Sequence, residues 1–164
     1  FEKEKFLQFA QEKEGYLFPD TYFFFNTDSK EEIIRLLNEN YDKKIDPMRA
    51  DIAISGHTEA AIITMASIIE KEAKGASDRE FIAGILWKRI KNNIPLQVDA
   101  APITYDQRGL PESPIANPGI LAIRAAIFPK SSPYLYYLHD REGVIHFARN
   151  FEEHKANKLK YLNQ

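Results

Sequence analysis

Cysteine is absent from the 164-residue chain. This excludes disulfides and thiolate metal sites, but it leaves the compartment open, because many exported bacterial domains lack cysteine too. Long apolar runs are also missing: none approaches the roughly 20 residues that a membrane span needs. The stretch Phe1 to Glu14 is charged and amphipathic, unlike a signal peptide with its basic start and apolar middle, so any export signal or anchor is expected upstream of Phe1. Positive charge is not in excess. The 22 basic and 24 acidic residues leave a formal net charge of −2, which gives no overall basic footprint for nucleic acid, and a polyanion partner is not expected. There is no glycine-rich phosphate loop and no nucleophile elbow. His139, His146 and His154 lack metal-ligand spacing, so neither a metal nor a cofactor is expected.

What the chain does contain is enough core for one domain. A chain of this length buries roughly 70% of its unfolded surface, and no repeat, low-complexity tract or long linker divides it, so residues 1–164 read as a single unit. Aromatic residues make up 12% of the chain; sugar clefts use such rings, but core packing accounts for most of them. Phe1 to Gln11 reads as a short helix or the tail of one, and Tyr22 to Phe25 as a short strand after the interruptions at Gly15 and Pro19. Ser29 with Glu32 forms a capping box for a helix from Lys30 to about Asp42. Thr58 caps a helix running to Lys74 and ended by Gly75, with Ile62, Ile63, Ala66, Ile69 and Ala73 at helical spacing. A second capping box, Ser77 with Glu80, starts a helix carrying Phe81, Ile82, Ile85, Leu86 and Ile90 that fades at Asn92 and Asn93. Asn117 before Pro118 is a start signal for a helix stopped by Pro129. Tyr134 to His139 and Val144 to Arg149 flank Asp140 to Gly143 as a β-hairpin, and Asn150 with Glu153 starts the last helix. The class is α+β, mainly helical with a small antiparallel sheet.

Glu70 stands out chemically. It lies four residues after Ala66, seven after Ile63 and three before Ala73, so helical geometry puts a carboxylate on the buried stripe. Burial raises a carboxyl pKa, which keeps an acid protonated for donation to a leaving oxygen. A helix-end carboxylate reaching solvent, or one paired with Lys74, explains the position equally well. Lys71 and Glu72 turn to other faces, and Glu72 reads as a solvated or salt-bridged side chain. Pro95 to Asp99 alternates as a strand does, with Gln97 and Asp99 on one face, able to line a cleft. Asp99 is the best candidate for a second carboxylate, although a loop-capping role is the commoner use. Asn117 reads as a cap before it reads as a ligand.

Taken in order, Glu14-Gly15-Tyr16-Leu17-Phe18-Pro19-Asp20-Thr21-Tyr22, Ala66-Ser67-Ile68-Ile69-Glu70-Lys71-Glu72, Pro95-Leu96-Gln97-Val98-Asp99 and Gly109-Leu110-Pro111 resemble the YceG-like family, the endolytic murein transglycosylases (MltG). Ile115 to Gly119, Tyr134-Leu135-Tyr136 and the tail from Glu153 to Tyr161 look like later landmarks of that family. The resemblance spans nearly the whole chain and implies the catalytic domain, with the N-terminal membrane anchor and most of a LysM-like module outside it. It implies a lyase facing the cell wall on the extracytoplasmic side of the bacterial membrane. The implied substrates are peptidoglycan glycan strands, with cell-wall synthases as partners. The implied reaction cuts the MurNAc–GlcNAc bond and leaves 1,6-anhydro-MurNAc ends, with the catalytic glutamate falling on Glu70. Such chemistry fits a lone carboxylate, because an internal hydroxyl replaces the water that a second carboxyl group would activate. Gln97, Asp99 and Asn117 are expected to line the cleft, and Tyr16 or Tyr105 to contact a sugar ring.

One departure is notable. The family carries a longer segment between Asp99 and Thr104, reduced here to Ala100-Ala101-Pro102-Ile103. Two other readings stay open: a muramidase-type hydrolase using Glu70 with Asp99, and a non-catalytic glycan-binding or scaffold domain.

Overall fold

The computed structural model describes residues 3–75 and 77–162. The elements run α1 (Lys3–Gln11), α2 (Lys30–Ile45), a 3-10 turn (Asp46–Met48), α3 (Arg49–Ser55), α4 (Glu59–Glu72), α5 (Asp78–Lys91), a second 3-10 turn (Pro102–Tyr105), α6 (Ile120–Ile127), β1 (Tyr136–His139), β2 (Ile145–Ala148) and α7 (Phe151–Tyr161). This is the expected α+β class. Residues 1–2 of the expected first helix lie outside the described residues.

Helix α4 is the axis of the fold. Its residues from Ile62 to Ile69 are all buried, so it is apolar on every side for two turns and needs cover all round. Helices α5 and α6 pack against it and against each other, and α3 closes a further side. Ala122, Ala125 and Ala126 are buried on α6; small side chains there let the two axes approach closely. Each fully buried isoleucine on α4 contributes about 1.5–3 kcal/mol of transfer free energy. Gly84 makes a close contact possible on α5: a Cβ there would stand 2.0 Å from the Lys130 carbonyl oxygen. The chain leaving α6 therefore lies directly on α5, and Lys130 donates its amide to the Glu80 carbonyl at 2.9 Å. That run leads into the β1–β2 hairpin, whose antiparallel register pairs Tyr136 with Ala148 and His139 with Ile145. Helix α7 packs across both strands.

Local signals hold where their partners are local. Ser29 and Glu32 form the capping box reciprocally, Thr58 accepts from the Ala61 amide, and Asn150 accepts from the Glu153 amide. Three expectations are corrected. Tyr22 to Phe25 is not a strand: among the described residues the sheet has β1 and β2 alone, and the segment is held instead by the Tyr22 hydroxyl donating to the Phe18 carbonyl at 2.6 Å. Ser77 does not cap α5, since its backbone is already helical; the turn is closed by Asp78, which accepts from the Gly75 amide. Asn117 does not cap α6, which begins at Ile120 behind Gly119. Its Oδ1 accepts from the Gly15 and Leu17 amides at 2.8 and 3.0 Å, and its Nδ2 donates to Glu14 at 3.1 Å.

Candidate active-site groove

A groove of about 580 Å³ opens between the C-terminal end of α4, the 96–105 turn, strand β1 and helix α7. Glu72, the last residue of α4, enters it. Residues two apart on a helix differ by about 200° in direction, so Glu70 and Glu72 leave α4 on nearly opposite sides. The Tyr137 hydroxyl, brought over from β1, donates to Glu72 Oε2 at 3.0 Å. Burial first, and the neighbouring Glu72 charge second, push the Tyr137 phenol well above the ordinary tyrosine range. It therefore stays a neutral donor. Glu72 Oε1 has no hydrogen-bond donor among the described residues, and that oxygen is free for a ligand.

The opposite wall is the short turn through residues 96–105. Buried Thr104 holds it: its hydroxyl donates to the Ala101 carbonyl at 2.7 Å and accepts from the Val98 amide at 3.0 Å, while its carbonyl accepts from the Gln97 amide. Asp99 is thereby set facing Tyr105, whose hydroxyl donates to Asp99 Oδ1 at 2.6 Å. That bond, ahead of burial and charge, raises the Tyr105 pKa. Gln97 sits at φ 51°, a left-handed conformation that costs a non-glycine residue of order 1 kcal/mol and is kept only where its surroundings enforce it.

The enforcing group is Arg89. Buried on α5 at 6% exposure, it donates to the Gln97 side chain at 2.8 Å, the Pro95 carbonyl at 2.9 Å and the Leu135 carbonyl at 3.3 Å. Its guanidinium also lies 5.1 Å from the Tyr136 ring centre. One side chain thus ties α5, the turn and the hairpin together beneath the groove. Sequence reasoning missed it, although the signal was present: Arg89 follows Ile82, Ile85 and Leu86 at helical spacing, the same apolar-stripe logic that drew attention to Glu70. Glu72 carried no local signal.

Of the residues expected at the site, Gln97, Asp99 and Tyr105 line this groove together. Glu70 does not line it. Half-buried, it accepts from the Gly119 amide at 3.2 Å through Oε2, placing a negative charge at the start of α6, where the helix dipole favours one. Among the described residues it is not paired with Lys74. Asn117 spans the Gly15–Leu17 backbone, as above. Tyr16 packs edge-on to Tyr41 at 5.1 Å and lines a separate cavity of about 410 Å³ beside Glu12, Glu14 and Glu112. Among the described residues no group of three His, Asp or Glu side chains is arranged to hold a metal ion.

The arrangement defines an α+β domain with a solvent-open groove in which two carboxylates, each held by a tyrosine hydroxyl, stand over a buried arginine. The model of the YceG-like family matches residues 1–103 and 103–160, so its two parts meet within the 96–105 turn. The chain belongs to the YceG-like family. It is 32% identical to the endolytic murein transglycosylase of Bacillus subtilis (strain 168), over 92% of this chain and 48% of that protein. It is 29% identical to the protein of the same name from Streptococcus pneumoniae serotype 2, over 92% of this chain and 32% of that one. A crystal structure of a yceG-like protein from Listeria monocytogenes superposes with a TM-score of 0.84 at 33% identity, covering 88% of this chain and 55% of that chain. The chain spans about a third to a half of the curated relatives it matches.

Proposed function

We propose that this domain cleaves the glycan strands of peptidoglycan as a lytic transglycosylase, with Glu72, rather than Glu70, as the acid/base group. The carrying observation is that the Glu72 carboxylate opens into the groove shared by Gln97, Asp99 and Tyr105, whereas Glu70, which likewise accepts a single hydrogen bond, does not line it. The names of the relatives supply the substrate class. Glu72 would protonate the glycosidic oxygen leaving MurNAc C1, then, as a carboxylate, take the proton from the MurNAc C6 hydroxyl as that oxygen attacks C1. The attacking group is already part of the substrate and acts at high effective concentration, so a second basic carboxylate is not required. Tyr137 orients the carboxyl by occupying Oε2 and leaves Oε1 for both proton transfers. Asp99 faces the same space and offsets the positive charge that develops at the sugar ring. Extracytoplasmic action, a membrane anchor contributed by further chain and cell-wall synthases as partners belong to the same proposal.

A muramidase-type hydrolysis is the second reading, favoured by the presence of Asp99 in the same groove as Glu72, since a pair of carboxyl groups can activate water. Mass spectrometry of the products from purified murein strands separates the two. Anhydro ends support the transglycosylase. Ends that have gained water support hydrolysis, and no new ends at all would sink both.

A further inference from the structure

The charge around the groove is unlike that of the chain as a whole. The molecule carries a net charge of −2, yet the groove is lined by four cations, Lys71, Lys74, Arg89 and Lys158, against two carboxylates, Glu72 and Asp99. Several cations elsewhere are matched. Arg49 meets Asp42, Asp46 and Glu59, Arg35 meets Glu39, Lys44 meets Asp20, and Lys155 meets Glu152. Among the described residues, none of the four groove cations has a carboxylate within ion-pair distance. Arg89 is the sharpest case: it is nearly fully buried, and every hydrogen-bond acceptor it has is a neutral oxygen. A buried charge without a counter-charge is costly. Lys71 and Lys158 each lie in the last turn of their helix, where the dipole favours a cation. That accounts for their places along α4 and α7. It does not account for their convergence on one groove.

We infer that the rim of Lys71, Lys74 and Lys158, above the buried charge of Arg89, is a subsite for carboxylates carried on the sugar strand. The inference rests on the groove being the glycan site. The sugar rings of a murein strand are neutral, and its anionic groups are the carboxylates reached through the MurNAc 3-O-lactyl arm: the lactyl carboxyl itself or the free carboxyl groups of an attached stem peptide. Both sources have the same recognising chemistry. His154, which lines the groove beside Lys158, supports a positive field there: burial first, then Lys158 and Arg89, hold its pKa below the usual histidine value.

The test uses end-labelled murein strands in three forms: stems intact, stems removed by an amidase so that the lactyl carboxyl remains, and all carboxyl groups capped as methylamides. Binding to the 164-residue chain is read by fluorescence anisotropy at 4 °C in low salt, and turnover of the same strands by product mass. Capping is expected to weaken binding about tenfold, the sum of three exposed charge pairs, and the K71Q/K74Q/K158Q variant is expected to bind capped and uncapped strands alike. If stem removal alone reproduces the loss, the stem carboxylates are the ligand; if it does not, the lactyl carboxyl is. Equal binding of capped and uncapped strands by the unsubstituted chain overturns the inference, as does a preference that survives in the triple variant. Absence of turnover with every strand overturns the enzymatic reading alone, because the binding preference still decides this one.

Discussion

Helix α4 carries a glutamate at each end, and each accepts from a tyrosine hydroxyl: Tyr41 donates to Glu59 Oε1 at 2.8 Å, and Tyr137 donates to Glu72 Oε2 at 3.0 Å. Both phenols are pushed above the ordinary tyrosine range, in each case by burial first and by the glutamate second. The difference is the second oxygen. Glu59 Oε2 accepts from Arg49 at 3.0 Å, and Arg49 is tied further to Asp42 and Asp46. At the other end the buried arginine, Arg89, turns away from the carboxylate to carbonyl and amide oxygens. The same tyrosine–glutamate unit is therefore closed at one end of the helix and open at the other. A carboxylate with both oxygens taken by protein donors is a structural joint, whereas one with an oxygen left over can exchange a proton with a ligand.

Substituting the two glutamates gives the largest expected contrast. Glu72→Gln is expected to lower murein cleavage by about 10²- to 10⁴-fold, the usual contribution of a general acid/base, with little change in thermal stability. Glu59→Gln is expected to leave turnover unchanged and to cost about 1–2 kcal/mol of stability through its charge-assisted bonds. Turnover lost in Glu70→Gln and kept in Glu72→Gln would return the acid/base role to the α6 end. The arginines come next. Arg89→Met strips donors from two carbonyls and from Gln97, and is expected to destabilise by about 3 kcal/mol in denaturant unfolding. Arg49→Met, at a site 45% exposed, is expected to change stability by no more than about 1 kcal/mol despite its three carboxylate partners.

The two ends of α4 also show what a sequence can and cannot disclose. Thr58 and the apolar run from Ile62 to Ile69 fix the helix from residues within a few turns of one another, so α4 is legible directly. The same holds for the Ser29–Glu32 box, the hairpin and the Asn150 cap. Glu70 was conspicuous because the stripe spacing made it costly, but that spacing cannot say whether the cost is met by a ligand or by the Gly119 amide 49 residues away. Glu72 looked ordinary because its meaning comes from Tyr137, 65 residues on, and from the turn through Thr104. Asn117 fails for the same reason: its shape suits a cap, and its true partners lie 100 to 103 residues earlier. The resemblance to the family located the motif, and the fold sets Glu72 in the groove and Glu70 against the Gly119 amide.

Removing the tyrosine hydroxyls tests the comparison more finely. Tyr137→Phe releases Glu72 Oε2, and the loss of orientation is expected to reduce kcat about tenfold with KM nearly unchanged. Tyr41→Phe is expected to cost about 1 kcal/mol of stability, one hydrogen bond to a charged group, and no activity. A Tyr41→Phe variant that lost activity comparably would show that the open and closed ends do not differ in function.

The smallest expected effect is on alkaline stability, and its sign follows from the raised phenols, of which Tyr41 and Tyr137 are the ones hydrogen-bonded to the α4 glutamates. In the unfolded chain a tyrosine ionises near pH 10; in the folded chain Tyr41 and Tyr137 hold their protons to higher pH. Folding thus favours the protonated form, so nothing is lost below the unfolded value, and stability falls as pH rises above it because the unfolded state alone releases these protons. Urea unfolding between pH 8 and pH 11.5 is expected to show a decline beginning near pH 10. That decline should be shallower in Tyr41→Phe and in Tyr137→Phe, and shallowest in the double variant. Equal slopes in all four proteins would mean that neither hydroxyl is held neutral by its surroundings, and the tyrosine–glutamate unit would then differ little between the two ends of α4.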